Sequence, residues 1–463
     1  MRFLLLSIEF NAGTFSGNGV YACSQARALT QLGHEVLVIA GAPPGHTQKA
    51  AEAAGEGAGL VEQQAALAWR ILHVELPVWG RLDAGCAWRE FAAGGSAPEV
   101  AAAAAAFRPA AVLGVDWHSV GVYEQLQEAL PGPPPFIYLN YRVFHRTATP
   151  EELAMIEAQE ARALHLSRCS MVLSRSDAAY LRRHFPEATA KGGGAGPLHV
   201  LLPALRSDMA ALPPPAEEAA EEGEDAGQRV APAQGAAAGG AAVTAFTGLQ
   251  EEAGERRAAE GAAGLQRWHA RRYLTCCVRL SPEKEPHRFV DLVLDLQRRG
   301  ALERLGVVPL MAGAGWDTPY GRQQRARVEA GAPQSVIHEQ FLGPTDLAAI
   351  YAATLLNVHP PTYDAYGMTV VEAASQGAPS LVQGGGHVGA ADLLSAEAGE
   401  VLVCEMDQPI EQLADRVETL LADRASLAAV GRRAQVRARS WGERDNAAAL
   451  VGYVAAALQH QSK

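Results

Sequence analysis

The chain opens on an apolar run over residues 3–8, bounded by polar and glycine positions, the pattern of a parallel strand buried on both faces. A loop carrying Gly13, Gly17 and Gly19 follows. It leads into a helical pattern in which Ala22, Ala26, Leu29 and Leu32 share one side and Gly33 supplies the stop. Residues 35–40 read as a second strand, and short apolar runs alternating with helical segments continue at 111–115, 136–139, 171–174 and 200–202. This order predicts one doubly wound α/β domain over residues 1–204. The alternation resumes at 273–280 and passes through 307–311, 355–358 and 379–382. It predicts a second domain of the same class over 266–440, with a closing helix over 441–463 that packs back toward the first. Ala-rich patches at 49–68 and 98–106 read as exposed helices or loops, and no repeat relates the two halves.

Between the two domains the pattern collapses. Residues 205–265 are dominated by Ala, Gly, Pro and Glu, with three prolines at 213–215 and an acidic run over 217–225. Such a segment cannot bury enough apolar surface to offset chain entropy, so a disordered insertion in the interdomain linker is expected.

Composition adjusts this picture in three ways. At 463 residues, 48 % of them hydrophobic, the chain suits two sizeable cores rather than one. The formal charge is -12, but the 205–265 segment holds eleven acids against four bases, so seven of the net negative charges lie there and the rest of the chain is only mildly acidic. Neither a nucleic-acid footprint nor a polybasic membrane patch is present. Cys23, Cys86, Cys169, Cys276, Cys277 and Cys404 show no CxxC or zinc-type spacing, which fits a reducing compartment. No run approaches the ~20 apolar residues of a spanning helix, and residues 1–10 lack the pattern of a signal peptide. A soluble, cytoplasmic protein is expected, with no transmembrane segment and no nucleic-acid partner.

Two α/β lobes place strand ends and helix N-termini on either side of a cleft, where open sheets bind ligands. Residues 361–372, Pro-Thr-Tyr-Asp-Ala-Tyr-Gly-Met-Thr-Val-Val-Glu, follow a strand and start a helix. Gly367 lets a ligand approach the backbone, and the amides of Met368, Thr369 and Val370 would point at an anion. Glu372, inside the helix, can accept two ribose hydroxyls. Asp364, eight positions earlier, can meet a second polyol. Taken alone, each acid is more readily a cap or a solvated charge, Arg279 and Lys284 are ordinary surface charges, His118 is a satisfied loop histidine, and Gly17 and Gly19 are turn glycines. Their common placement at strand ends favours a nucleotide-sugar site.

This segment resembles the paired-carboxylate motif of glycosyltransferase family 4. Phe341-Leu342-Gly343, Val358-His359-Pro360-Pro361 and the run 372–379 resemble the rest of that family's second domain. Arg279 and Lys284 resemble its strand-end pair of cations, Ser16-Gly17-Asn18-Gly19 its glycine loop, Asp116-Trp117-His118 its donor-side histidine, and Ser440-Trp441 the start of its closing helix. The resemblance implies the GT-B fold, two Rossmann-like domains facing a central cleft. It also implies transfer of a glycosyl group from a nucleotide-diphosphate sugar to an acceptor (a sugar, lipid or small molecule), with retention of configuration. Its implied catalytic set is His118, Arg279, Lys284, Asp364 and Glu372; its donor contacts are Gly17, Gly19, Tyr366, Gly367, Met368 and Thr369. No D-x-D triplet occurs, so no metal and no further cofactor is expected, positive side chains serving the leaving diphosphate instead. Three features depart from the family pattern: Asp364 stands for the usual Glu, Tyr366 for Phe, and Ser16 for the first glycine. A non-catalytic sugar-nucleotide binder and a sugar-nucleotide 2-epimerase remain alternative readings.

Overall fold

A computed structural model describes residues 1–14, 16–46, 61–63, 69–130, 132–189, 196–213, 273–339 and 342–459. From residue 214 on, the expected insertion lies outside the described residues, as does most of the 49–68 patch and Phe341.

The first lobe is built on eight strands, β1 (Arg2–Ser7), β2 (Glu35–Ala42), β3 (Val61–Gln63), β4 (Trp69–Glu75), β5 (Ala111–Val115), β6 (Phe136–Asn140), β7 (Cys169–Val172) and β8 (Leu198–Val200), in the order β3-β4-β2-β1-β5-β6-β7-β8. All pairs are parallel except β3 with β4. The second lobe carries β9 (Tyr273–Cys277), β10 (Val308–Ala312), β11 (Val336–His338), β12 (Thr354–Val358), β13 (Ser380–Gln383) and β14 (Leu402–Cys404), all parallel, in the order β11-β10-β9-β12-β13-β14. Two α/β Rossmann-like lobes thus flank a cleft.

The longest apolar runs became the central strands because both of their faces are covered: Phe3, Leu4, Leu5 and Leu6 are fully buried, helices lying on either side. Edge strands differ from the reading of the sequence. Val61–Gln63 is an antiparallel edge strand where an exposed helix or loop was expected. The other Ala-rich patch is a helix, Pro98–Phe107, that buries Val100, Ala104 and Phe107 rather than standing clear of the fold.

Strand order fixes where ligands can bind. In the first sheet the chain moves outward from β1 to β2 and β4, then returns to place β5 on the other side of β1. In the second it moves from β9 to β10 and β11, then returns to place β12 on the other side of β9. Each reversal opens a crevice beyond the strand C-termini. The first crevice is bounded by the glycine loop after β1 and by Asp116-Trp117-His118 after β5. The second is bounded by Arg279 to Lys284 after β9 and by His359 to Gly367 after β12.

The closing helix, Glu443–Gln459, lies against the helix Gly17–Gln31 of the first lobe. Tyr21, Gln25 and Asn446 form a buried polar cluster there, Arg27 pairs with Glu443 at 3.1 Å, and the Trp441 indole donates to the Leu202 carbonyl at 2.8 Å. One apolar cluster runs from Tyr21, Ala22 and Leu29 through Ala447, Leu450 and Val454 to Tyr366, Val370 and Ala374. The lobes share this core.

A candidate donor site at the two switch points

In the second crevice, the Lys284 ammonium donates to Asp364 Oδ2 at 2.7 Å, and the same oxygen lies 3.1 Å from His359 Nε2. The chain around Asp364 is pinned as a short bridge: its amide donates to the His387 carbonyl and its carbonyl accepts from Gly389, both at 3.0 Å. Burial alone would raise the Asp364 carboxyl, but the Lys284 ammonium and the His359 ring reverse this and hold it well below the usual carboxylate range. Asp364 is therefore an anion at neutral pH.

Gly367 follows at φ +78, ψ 55 and stands as the N-cap of the helix Met368–Ser375 without a capping side chain. A Cβ at Gly367 would stand 3.0 Å from Val388 and 3.5 Å from His359 in a left-handed backbone, so only glycine fits without strain. The Val370 amide, expected among the open donors, instead bonds the Gly367 carbonyl at 3.0 Å. Among the described residues, no hydrogen-bond acceptor from outside the helix meets the Met368 and Thr369 amides at this helix start. Across the cleft stands the first lobe's glycine loop: a Cβ at Gly17 would lie 3.4 Å from Met368 Sδ. Gly19 has a different constraint, since a Cβ there would come within 2.8 Å of the buried Glu9, whose carboxylate accepts from the Ser16 amide at 2.6 Å and from its hydroxyl. Tyr366 is buried and donates to the Ala204 carbonyl at 3.3 Å.

Arg279 is paired with Glu283, which also accepts from Arg142 of the first lobe at 3.2 Å. One carboxylate thus draws together arginines from both lobes. Glu372 is buried, and Arg206 donates to its Oε1 at 3.1 Å. Burial raises the Glu372 carboxyl; the Arg206 guanidinium opposes this, and Asp208 adds to the rise.

His118 is more deeply set than a residue facing the cleft. It is 1 % exposed, stacked on Trp117 with ring centroids 3.9 Å apart and edge-on to Phe144. Its Nε2 lies 2.8 Å from the Leu82 carbonyl, which can only accept, so Nε2 carries the proton. Burial pushes its pKa down to about 3, so the ring is neutral and Nδ1 is an acceptor with no partner among the described residues.

Sequence reasoning missed the groups that hold these side chains. Asp116 adopts φ +52, a strained conformation costing about 1–3 kcal/mol. It is held there by accepting from the Tyr141 and Arg142 amides, at 2.7 and 3.2 Å, and from the Asn18 side chain at 2.5 Å. Glu160 accepts from the Phe144 and His145 amides at 2.5 and 3.1 Å. Together these two buried acids fix residues 141–145, and with them Arg142. Burial raises Asp116 to about 7 and Glu160 to about 8. Both folded values exceed the unfolded ones, so their contribution is complete at low pH and is lost as pH rises through 7 and 8. Thermal stability is expected to fall from pH 6.5 to 8.5, and a Glu160→Gln variant to show a flatter profile by differential scanning calorimetry. Parallel profiles would contradict this.

Among the described residues, no group of three or more His, Cys, Asp or Glu side chains is arranged to hold a metal ion, and no helix is long and apolar enough to cross a membrane.

Residues 266–437 match the family described as glycosyl transferases group 1. No curated protein matches the chain. Among solved structures, the chain resembles sucrose-phosphate synthase from Thermosynechococcus elongatus at 15 % identity and a TM-score of 0.69, with 100 % of each chain covered. It also resembles α,α-trehalose 6-phosphate synthase from Burkholderia multivorans, at 12 % identity and a TM-score of 0.63, with 99 % of each chain covered. A third is the Anabaena protein HepE in complex with UDP and glucose, at 13 % identity and a TM-score of 0.60, with 98 % of this chain and 100 % of that one covered. At these identities the structural likeness is one of fold. The chain is a protein of the GT-B fold, related to the family 4 glycosyltransferases through the group 1 match of its second lobe.

Proposed function

We propose that this protein transfers a hexosyl group from a nucleotide-diphosphate sugar to an acceptor, with retention of anomeric configuration and without a metal. The observation that carries the reading is the Lys284–Asp364 pair at the second switch point, beside a helix N-terminus with no capping side chain. A cation for the leaving phosphate and an anion for the sugar ring are set one hydrogen bond apart, matching the two charges that develop as a sugar–phosphate bond breaks.

In this reaction the bond from the anomeric carbon to the diphosphate oxygen breaks, and its electron pair leaves with the diphosphate. Lys284, Arg279 and the Met368 and Thr369 amides stabilise that growing charge more than the ground state. Asp364 faces the oxocarbenium-like sugar. His118, buried on Trp117, supports the donor-sugar side of the cleft from behind, and Gly17 lets the first lobe approach the donor while Gly19 makes room for Glu9. The acceptor oxygen attacks from the leaving-group face and gives its proton to the departing phosphate. Glu372 takes the ribose and Tyr366 supports the seat. Donor binding must exchange Glu283 for diphosphate at Arg279.

UDP-sugars head the donor panel, because UDP is bound in the related HepE structure. A matching donor at 100 times its Kd is expected to raise stability by about 2.7 kcal/mol. UDP-, GDP- and ADP-sugars that all leave the melting temperature unchanged would refute the reading. Within it, Glu372→Gln is expected to raise donor KM with little change in kcat, a loss of about 1.5–3 kcal/mol for one charge-assisted hydrogen bond. Steady-state kinetics on the two proteins checks this.

A further inference from the structure

Arg206 comes from the stretch that follows β8, in the part of the chain whose composition gave no sign of a site. It is nevertheless among the most tightly held arginines of the molecule. The segment around it is anchored on both flanks: Leu205 bridges Gly442, the Ala204 carbonyl accepts from Tyr366, and the carbonyls of Ala210 and Leu212 accept from Arg439 at 3.1 and 2.8 Å. Asp208 grips the guanidinium as a fork, Nε at 3.0 Å and Nη2 at 2.6 Å, and this turns Nη1 onto Glu372 Oε1 at 3.1 Å. Asp208, Arg206 and Glu372 form a chain of three charges running from solvent into the second lobe. Arg206, Tyr366, Met368 and Glu372 line one small crevice at the start of the Met368 helix. Among the described residues, no donor is recorded at the other Glu372 oxygen, Oε2.

We propose that Arg206, gripped by Asp208, is a positioning residue of the donor seat that keeps Glu372 turned and charged to receive the ribose hydroxyls. A flexible glutamate would lose rotamer freedom on binding ribose; one already fixed through Oε1 presents Oε2 without that loss. Buried beside Cys277, Tyr351 and Tyr366, none of which supplies positive charge, Glu372 has Arg206 as its facing cation, while Asp208 opposes its ionisation. A buried carboxyl stripped of that cation takes up a proton, and a protonated acid is a poorer acceptor. Because Arg206 lies outside the second sheet, the consequence is that the interlobe segment completes the nucleotide site of the second lobe.

The inference rests on the reading that Glu372 receives the ribose, and the test separates the two. The probes are the tightest binder among UDP, GDP and ADP and its 2′-deoxy counterpart, titrated calorimetrically at pH 6 and pH 8. Wild-type protein is expected to disfavour the deoxy form by about tenfold at both pH values, the scale of one hydrogen bond to a charged group. Arg206→Ala is expected to bind the ribonucleotide about tenfold more weakly, to discriminate by less than about threefold, and to weaken further at pH 6. Asp208→Asn, at a partly exposed position that should not compromise folding, is expected to lose part of the discrimination because the fork is broken. Full discrimination and a level pH response in both variants, with discrimination lost in Glu372→Gln, would overturn the role of Arg206 alone. Full discrimination in Glu372→Gln would overturn the ribose assignment with it. Binding of none of the three nucleotides would overturn the proposed function.

Discussion

Lys284→Ala is expected to lower turnover by about 10²-fold or more, comparable to removing one preorganised donor from a site of developing charge. The magnitude follows from where the ammonium stands. It lies within 2.7 Å of a buried anion, where water screens little, and beside the helix start that would receive the same phosphate. The substitution also strips Asp364 of its principal cation, leaving the His359 ring at 3.1 Å and the Tyr366 amide at 3.3 Å. The Asp364 carboxyl should then rise from its depressed value, so the variant's residual activity should fall off at a higher pH than that of wild type. Chelators are expected to leave the wild-type rate unchanged. Loss of activity on chelation, restored by added Mg²⁺ or Mn²⁺, would reject the assignment of Lys284 and Arg279 to the diphosphate.

Asp364→Asn should have the second large effect, on kcat rather than donor affinity. The transferring sugar gains positive charge only as the bond breaks, so a neutral amide forfeits stabilisation realised mainly in the transition state. It also leaves Lys284, which is 28 % exposed, without its charged partner, so part of the fully buried-pair penalty is relieved by water at the ammonium. Melting temperature must therefore be measured beside kinetics. Asp364→Glu is the companion experiment. The carboxylate is pinned by Lys284 and His359 and its backbone by His387 and Gly389, so one added methylene must move it toward the sugar. Preference among donor sugars is expected to shift while preference among bases does not. An Asp364→Asn protein with unchanged kcat, set beside a Glu372→Gln protein inactive at saturating donor, would reverse the assignment of the two acids.

What could be read from the chain follows from which interactions leave a pattern in it. The central strands were legible because residues 3–8 and 111–115 are near-continuous apolar runs and 273–278 is apolar apart from Thr275, the requirement of a strand covered on both faces. Val61–Gln63, Val336–His338 and Leu402–Cys404 are three-residue edge strands, too short for any periodicity. Lys284 and Asp364 are eighty positions apart; the sequence marked each through family resemblance, and the reversal of strand order at β9 and β12 brings them together. The supporting shell was not legible. Asp116 and Glu160 bind backbone amides, which any sequence supplies, and His359 was noted only as part of a motif. Arg206 was hidden by its neighbours' composition. The spacing of Leu205 and Met209, both buried with Arg206 and Asp208 between them, was the one signal that a short packed turn precedes the low-complexity run.

The central claim is that this cleft breaks a sugar–phosphate bond of a nucleotide-sugar and passes the sugar on with its configuration kept. A proton NMR time course tests it most directly. The preferred donor is incubated with a panel of hexoses and hexose phosphates, in chelator, with wild-type protein and with Lys284→Ala. The expected result is release of the nucleoside diphosphate and growth of a glycoside whose anomeric coupling matches that of the donor, at least about 10²-fold slower in the variant. An intact donor, an isomerised sugar nucleotide, or a glycoside of inverted configuration would contradict the account.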